Sequence, residues 1–318
     1  MPDLILHHYP TSPFGEKVRL MLGYKKLTWK SVTIPMIMPK PDVVALTGGY
    51  RKTPVLQIGA DIYCDTALIA DVLEHLQPEP SLYPEPSKGM GRTLAQWADT
   101  TLFFTAMGYS FQPAGVAQVF AGAPPEAAKA FAADRQAMRG GAARMPAADA
   151  MVAYKSYLRR LSDMLDDTPF LLGAKPSIAD FAAYHPLWFT RNRTPALVGI
   201  FNATPAVIEW MDRMAAMGPG EFEKFSALDA IAVAAAATPA ALHDDIFQDD
   251  HGIALGSPVT ISSEGFGVEP TQGELVAATR MHMTLRRFDE RAGLVHVHFP
   301  RIGYSLKAAV KTEVKVEV

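Results

Sequence analysis

A single hydroxyl, Ser12, sits where a strand-like run meets a helix-like one, and it carries the clearest chemistry in the chain. Leu4-Ile5-Leu6-His7-His8-Tyr9 reads as a short strand running into a turn. Phe14, Val18, Met21 and Leu22 then recur at i, i+4, i+7 and i+8, the apolar face of an amphipathic helix. Ser12 falls at the N-cap of that helix and Pro13 at its first position, where the missing N–H and fixed φ cost nothing. Such a helix start presents unpaired N–H groups and the positive end of a dipole, which suits an anion. A thiolate is one such anion. A free thiol with pKa ~8.5 is mostly protonated at neutral pH, so a nucleophilic site must favour its ionised form. A hydroxyl that donates a hydrogen bond does this without being a base. The plainer reading of Ser12 is a helix cap alone.

The elements around this position are legible from pattern. Leu27 to Val32 suits a second strand, and Val55-Leu56-Gln57-Ile58 and Asp61-Ile62-Tyr63 flank a two-residue turn at Gly59-Ala60. Leu68, Ile69, Val72, Leu73 and Leu76 then mark a helical face. Strand-helix-strand followed by hairpin-helix is the order of an α/β thioredoxin-like fold. Gln77 to Pro86 holds four prolines in ten residues, an extended linker and the best domain boundary. Helices dominate beyond it. Leu94, Trp97, Thr101 and Phe104 share a face, Pro125 to Met138 is Ala-rich before Gly140-Gly141, and Met151, Tyr154, Leu158, Leu161 and Leu165 keep a bundle spacing. Ser177 with Asp180 reads as a capping box, and Thr204-Pro205 opens another helix that Gly218-Pro219 ends.

Ser12-Pro13-Phe14 with Val18-Arg19 downstream, Thr53-Pro54-Val55-Leu56, Asp65-Thr66 and the Ser177-Ile178-Ala179-Asp180 box, in that order, resemble the glutathione transferases, closest to the serine-type tau and zeta branches. The resemblance implies a thioredoxin-like glutathione-binding domain over 1–78 and an all-α bundle domain over 87–226. It stops near residue 226. From there Arg280 to Arg286 and Val295 to Phe299 alternate in polarity around a hairpin loop Asp289 to Gly293, and Pro258 to Ile261 suits another strand. A small antiparallel β domain over 227–318 is the expectation, unlike anything in the family pattern.

The family's site residues carry over position by position. Ser12 would be the catalytic residue. Thr53, before a cis Pro54, would pair with the cysteinyl part of glutathione as an added strand does. Asp65 and Thr66 stand where the family usually has Glu-Ser for the γ-glutamyl group; the acid is one methylene shorter, and it also suits the N-cap of the next helix. Lys40 and Lys52 are basic candidates for the glycine carboxylate, although a solvated lysine is the ordinary outcome. Phe14, Phe103, Phe104 and Tyr109 would line the pocket for an apolar electrophile, or simply fill a core. Cys64 is off the helix-start position that the cysteine-type relatives use. Glutathione is thus expected as co-substrate, with no other cofactor, and a small apolar electrophile as partner. Thiolate attack is the expected step, with isomerisation or ether cleavage as related chemistries. The family's usual two-fold homodimer is expected too.

Composition sets outer bounds. A net charge of −3 argues against nucleic acid or an anionic membrane as partner. No apolar run reaches the ~18–20 residues of a membrane span, and no basic-then-apolar leader precedes the first strand, so a cytoplasmic protein is expected. One cysteine excludes an intrachain disulfide. His296 and His298 on one strand face, with His282 on the next strand, could offer imidazoles to zinc, and His243-Asp244-Asp245 with Asp249-Asp250-His251 could offer oxygen ligands. A solvated strand face and a charged loop are commoner outcomes, so no metal is expected. Two alternatives stand beside the enzyme: a glutathione-transferase-fold binding or scaffold protein without turnover, and a function carried by the C-terminal strands.

Overall fold

The computed structural model describes residues 3–242, 246–248 and 250–309. The expected first domain is there. Strand β1 (Ile5–His8), helix α1 (Pro13–Tyr24), strand β2 (Trp29–Thr33), helix α2 (Pro41–Thr47), strands β3 (Val55–Ile58) and β4 (Asp61–Cys64) and helix α3 (Thr66–Leu76) follow in order. β1 pairs parallel with β2 and antiparallel with β3, and β3 turns into β4 through Gly59, whose φ of +59° a side chain would resist.

The helical domain comprises α4 (Lys88–Trp97), a π-helical turn at Ala98–Leu102, α5 (Phe103–Ser110), α6 (Pro113–Val119), α7 (Pro125–Met138), α8 (Ala147–Met164), α9 (Ile178–Arg193) and α10 (Pro205–Ala215). Asp180 anchors it from within. Its buried carboxylate accepts from the amides of Leu171 and Ser177 at 2.8 Å, the Ser177 hydroxyl at 3.0 Å and the Trp210 indole at 3.0 Å. The Ser177–Asp180 spacing therefore secures the helix start and joins α9 to α10.

The C-terminal strands are antiparallel to one another, and they do not stand apart. Strand β5 (Phe222–Phe225) adds to the free edge of β2, and helix α11 (Ala227–Ala236) follows. Strands β6 (Pro258–Ser263), β7 (Thr271–Ala278), β8 (His282–Asp289), β9 (Gly293–Pro300) and β10 (Tyr304–Ala308) then form a second block. β9 pairs in parallel with β4, so the described strands make one sheet in the order β10-β6-β7-β8-β9-β4-β3-β1-β2-β5. The expected hairpin at Asp289–Gly293 joins β8 to β9.

Strand alternation sorts the side chains into two cores. Leu4, Leu6, Trp29 and Leu56 face α1, α3 and the helical domain. Ile5, Val32, Val55 and Ile62 face the other way, against α2, α11 and the inward residues Leu285, Val297 and Phe299 of the added strands. The second core exists because residues after 226 cover a sheet face.

Two histidines on β1 are held neutral inside this sandwich. His7 Nε2 lies 2.8 Å from Gln57 Oε1, and Gln57 Nε2 donates onward to the carbonyl of Ala230. Burial brings the His7 pKa down to about 4. His8 is lowered to about 3 by burial and the adjacent Arg19, which donates to its Nδ1 at 2.9 Å and leaves Nε2 to donate to Ser31. Below pH 6.5 the unfolded chain binds protons that the folded chain refuses, so stability falls as pH drops toward the folded values. For His7 alone the loss, complete below pH about 4, amounts to roughly 3 kcal/mol. Thermal melts between pH 6.5 and 4.5 should show a steeper loss of Tm for the wild type than for His7→Asn. Equal slopes would contradict this assignment.

Candidate functional site

Ser12 occupies the position that its neighbours dictate. Its amide donates to the Tyr9 carbonyl at 3.0 Å, closing the turn after β1, and its backbone is extended at φ −73° and ψ 122° before Pro13 starts α1. The side-chain oxygen accepts from the Gly15 amide at 3.0 Å. Among the described residues no other group bonds to that oxygen, so its proton remains available to a ligand. Gly15 keeps this corner open: a Cβ there would lie 3.3 Å from the Ser12 hydroxyl and 3.1 Å from Arg19 Nη1. Ser12 is nevertheless only 2% exposed.

The bend opposite is also formed. The Thr53-Pro54 bond is cis, and Lys40 donates to Thr53 Oγ1 at 3.0 Å and to the Arg51 carbonyl at 3.3 Å. Burial, with Arg135 and Arg51 close by, brings Lys40 to a pKa of about 8. Lys40 thus braces the bend. Asp65 caps α3, taking the Ala67 amide at 3.0 Å, and adopts a φ of +76° that an L-residue holds only under strain. Thr66 faces inward. Its Oγ1 accepts from the buried Lys17 at 3.0 Å, and Lys17 pairs with Asp99 at 2.5 Å, which also takes His185 at 3.0 Å. Asp99 lies on the π-helical turn, whose wider winding carries it toward α1.

The aromatic candidates divide. Phe14 packs on Phe103 with ring centroids 4.7 Å apart and on His185 at 4.4 Å, and Phe103 meets Phe104. Tyr109 is not with them. Its hydroxyl donates to the Leu197 carbonyl at 3.0 Å and its ring packs against Tyr154, which places it in the core of the helical domain. Cys64 is fully buried, and burial pushes its thiol pKa up.

Residues with no motif of their own complete the site. Tyr304 of β10 donates to Asp65 Oδ2 at 2.9 Å, and Lys52 donates to Ser263 of β6 at 2.6 Å while lying over the Tyr304 ring. The β6–β7 connection, 264–270, continues toward the helical domain. Phe266 packs on Phe104 at 5.5 Å, the Gly267 amide donates to the Met138 carbonyl at 2.8 Å, and Glu269 receives Arg51, which also holds Asp134 at 2.5 Å. A Cβ at Gly267 would sit 3.3 Å from Lys52 Cγ and 3.1 Å from Met138 Cε, so this glycine permits the close fit. The cluster of small residues around Phe266 was the only visible sign of a loop built for close approach. The C-terminal strands therefore bond two of the side chains, Asp65 and Lys52, that the sequence resemblance put forward for a peptide ligand.

The metal-type residues rearrange as well. His296 and His298 meet Asp61 of β4. His282 instead places Nδ1 3.2 Å from Thr279 Oγ1. Of the second group, His243, Asp244, Asp245 and Asp249 lie outside the described residues, and Asp250 pairs with Arg301 at 3.2 Å.

Comparison with known proteins identifies the family. The family described as glutathione S-transferase, N-terminal domain, matches residues 6–81, and its C-terminal domain counterpart matches residues 127–213. A crystal structure of a GST-like protein from Pseudomonas syringae is 44% identical, with a TM-score of 0.81, over 97% of this chain and 100% of that one, a span that takes in the added strands. FtsZ-localized protein A of Caulobacter vibrioides is 25% identical over 184 residues, 56% of this chain and 73% of its own length. A glutathione S-transferase from Rhodospirillum rubrum F11, 21% identical, covers 67% of this chain and 88% of its own with a TM-score of 0.50, a likeness of fold. With both family domains in order and a 44% identical relative matched end to end, the chain belongs to the glutathione S-transferase family.

Proposed function

We propose that the chain binds glutathione between the cis Thr53-Pro54 bend and Asp65, and that Ser12 steadies its thiolate for attack on a small apolar electrophile. One observation carries this reading: the Ser12 oxygen already accepts the Gly15 amide, which leaves its proton to be donated. Sulfur bound there would take that hydrogen bond at the positive end of α1. The bend supplies the backbone groups of Thr53, Asp65 offers its carboxylate to the γ-glutamyl ammonium, and Phe14, Phe103 and Phe104 supply the apolar wall. The thiolate then forms a carbon–sulfur bond as the leaving group departs with its electron pair. A cytoplasmic homodimer is the setting that the family resemblance supports.

Binding on these terms requires a displacement. Tyr304 holds Asp65 and Ser263 holds Lys52, so glutathione must take the place of both. The same contacts favour a second reading, a glutathione-transferase-fold binding protein without turnover, and the relative named for localisation with FtsZ agrees with it.

Calorimetry with glutathione and a turnover assay with a chlorodinitroarene separate the two. Removing the hydrogen bond to Asp65 in Tyr304→Phe should tighten glutathione binding by about 10–100-fold, since a charge-assisted hydrogen bond contributes about 1.5–3 kcal/mol. Ser12→Ala should lower turnover by about 100-fold, as loss of one such donor does elsewhere, with glutathione affinity changed only a few-fold. Binding with turnover indifferent to Ser12 would give the protein to the second reading. Failure of both the wild type and Tyr304→Phe to bind glutathione would remove the first.

A further inference from the structure

The ladder between β4 and β9 sets Asp61 opposite His296 and Tyr63 opposite His298. Alternate residues of a strand share a face, so His296 and His298 project together, with Asp61 beside them. His298 Nε2 lies 2.9 Å from Asp61 Oδ1 and His296 Nδ1 lies 3.8 Å from the same oxygen. One ligand atom from each residue falls within 4.8 Å of the others. All three residues are buried, and His296 Nδ1 is a buried nitrogen without a hydrogen-bond partner, aimed at the carboxylate.

We propose that Asp61, His296 and His298 bind a divalent transition metal of the zinc class. Two imidazoles and one carboxylate are a donor set that suits Zn²⁺ and its neighbours better than Mg²⁺ or Ca²⁺, which prefer oxygen. Bonds of about 2.0–2.2 Å set donors roughly 3.3 Å apart, so the 2.9 Å His298–Asp61 pair opens slightly while His296, within 4.8 Å of both, closes by up to about 1.5 Å. The outer supports are present. His298 Nδ1 lies 2.9 Å from Thr284 Oγ1, and Asp61 Oδ2 accepts the Ala240 amide at 2.8 Å. As found, His298 Nε2 donates to Asp61 and Nδ1 accepts from Thr284; metal binding moves the ring proton to Nδ1, where Thr284 accepts it, and frees the Nε2 lone pair with no net loss of a proton.

Access comes from one side. His296 lines a cavity of about 300 Å³ with Ala240, Leu242, Val276, Arg286 and Leu294, which leaves room for a metal-bound water as further ligand. The nearby positive charge is compensated, because Arg286 is paired with Glu274 at 2.6 Å. The metal would bridge β4, the strand that ends the family's sheet, to β9, the strand of the added block that adjoins it, which the proposed peptide site does not require.

The test uses the full chain stripped with a chelator and titrated with Zn²⁺ by calorimetry, then with Co²⁺ by visible absorption. One equivalent should bind, raise Tm and give Co²⁺ ligand-field bands. Loss of a ligand in His296→Ala should abolish both signals, while His75→Ala, at an exposed histidine, should leave them intact. Thr284→Val removes only the outer hydrogen bond and preserves shape; it should weaken binding by about 10–100-fold. Absence of stoichiometric Zn²⁺ binding overturns the proposal. So does a folded His296→Ala or Thr284→Val protein that binds as tightly as the wild type.

Discussion

The parallel pairing of β4 with β9 is the constraint on which the rest of this molecule rests. Without it β4 would be an edge strand, presenting unpaired N–H and C=O groups to any passing chain. With it, the five strands after residue 257 are held in one register relative to the first domain. A slip of one residue would turn Val295, Val297 and Phe299 out of the second core and His296 and His298 into it. The apolar face of β9 therefore fixes which residues reach Asp61. The same register carries β6 and β10 to the far side, where Ser263 and Tyr304 meet Lys52 and Asp65.

The site that results joins two interests in one place. The first domain builds a helix start, a cis bend and a strained acidic cap, features that suit a thiol peptide. The added strands satisfy those same polar groups from within the chain. Shielded lysines, arginines and carboxylates are costly unless paired, so Tyr304, Ser263 and Glu269 lower the cost of holding Asp65, Lys52 and Arg51 away from solvent. They also set a threshold that any ligand must exceed. Arg51 reaching both Glu269 and Asp134 extends this linkage to α7, so all three parts of the chain meet at Arg51.

Much of this was legible where the signal is local. Ser12-Pro13 announced a capped helix, Gly59-Ala60 a hairpin, the proline-rich stretch from Gln77 a boundary, and the alternation through β8 and β9 two strands. What stayed hidden was mostly non-local. Nothing in the sequence of β9 says that its neighbour is β4, nor that Phe222–Phe225 would add to β2. β7 lacks a strand signature for a local reason: a bulge between Leu275 and Ala277 breaks the alternation, so Leu275 and Ala278 both point inward although three residues apart. Helix α11 has the helix propensity of an alanine-rich run and a Ser226 cap but no large apolar stripe to show which face it buries. Tyr109 shows the limit of spacing arguments, since its helical phase agreed with a pocket wall while its hydroxyl finds a carbonyl in the helical core.

The central claim is that one continuous sheet holds the C-terminal strands against Lys52 and Asp65 of the first domain. Amide hydrogen exchange read by mass spectrometry, with and without saturating glutathione, tests it most directly. The account predicts that 264–270 and the segment around Tyr304 exchange faster when glutathione is bound, while β4 and β9 stay protected throughout. Glutathione that binds and leaves exchange across 264–270 unchanged, or β9 amides that exchange freely in the unliganded protein, would contradict it.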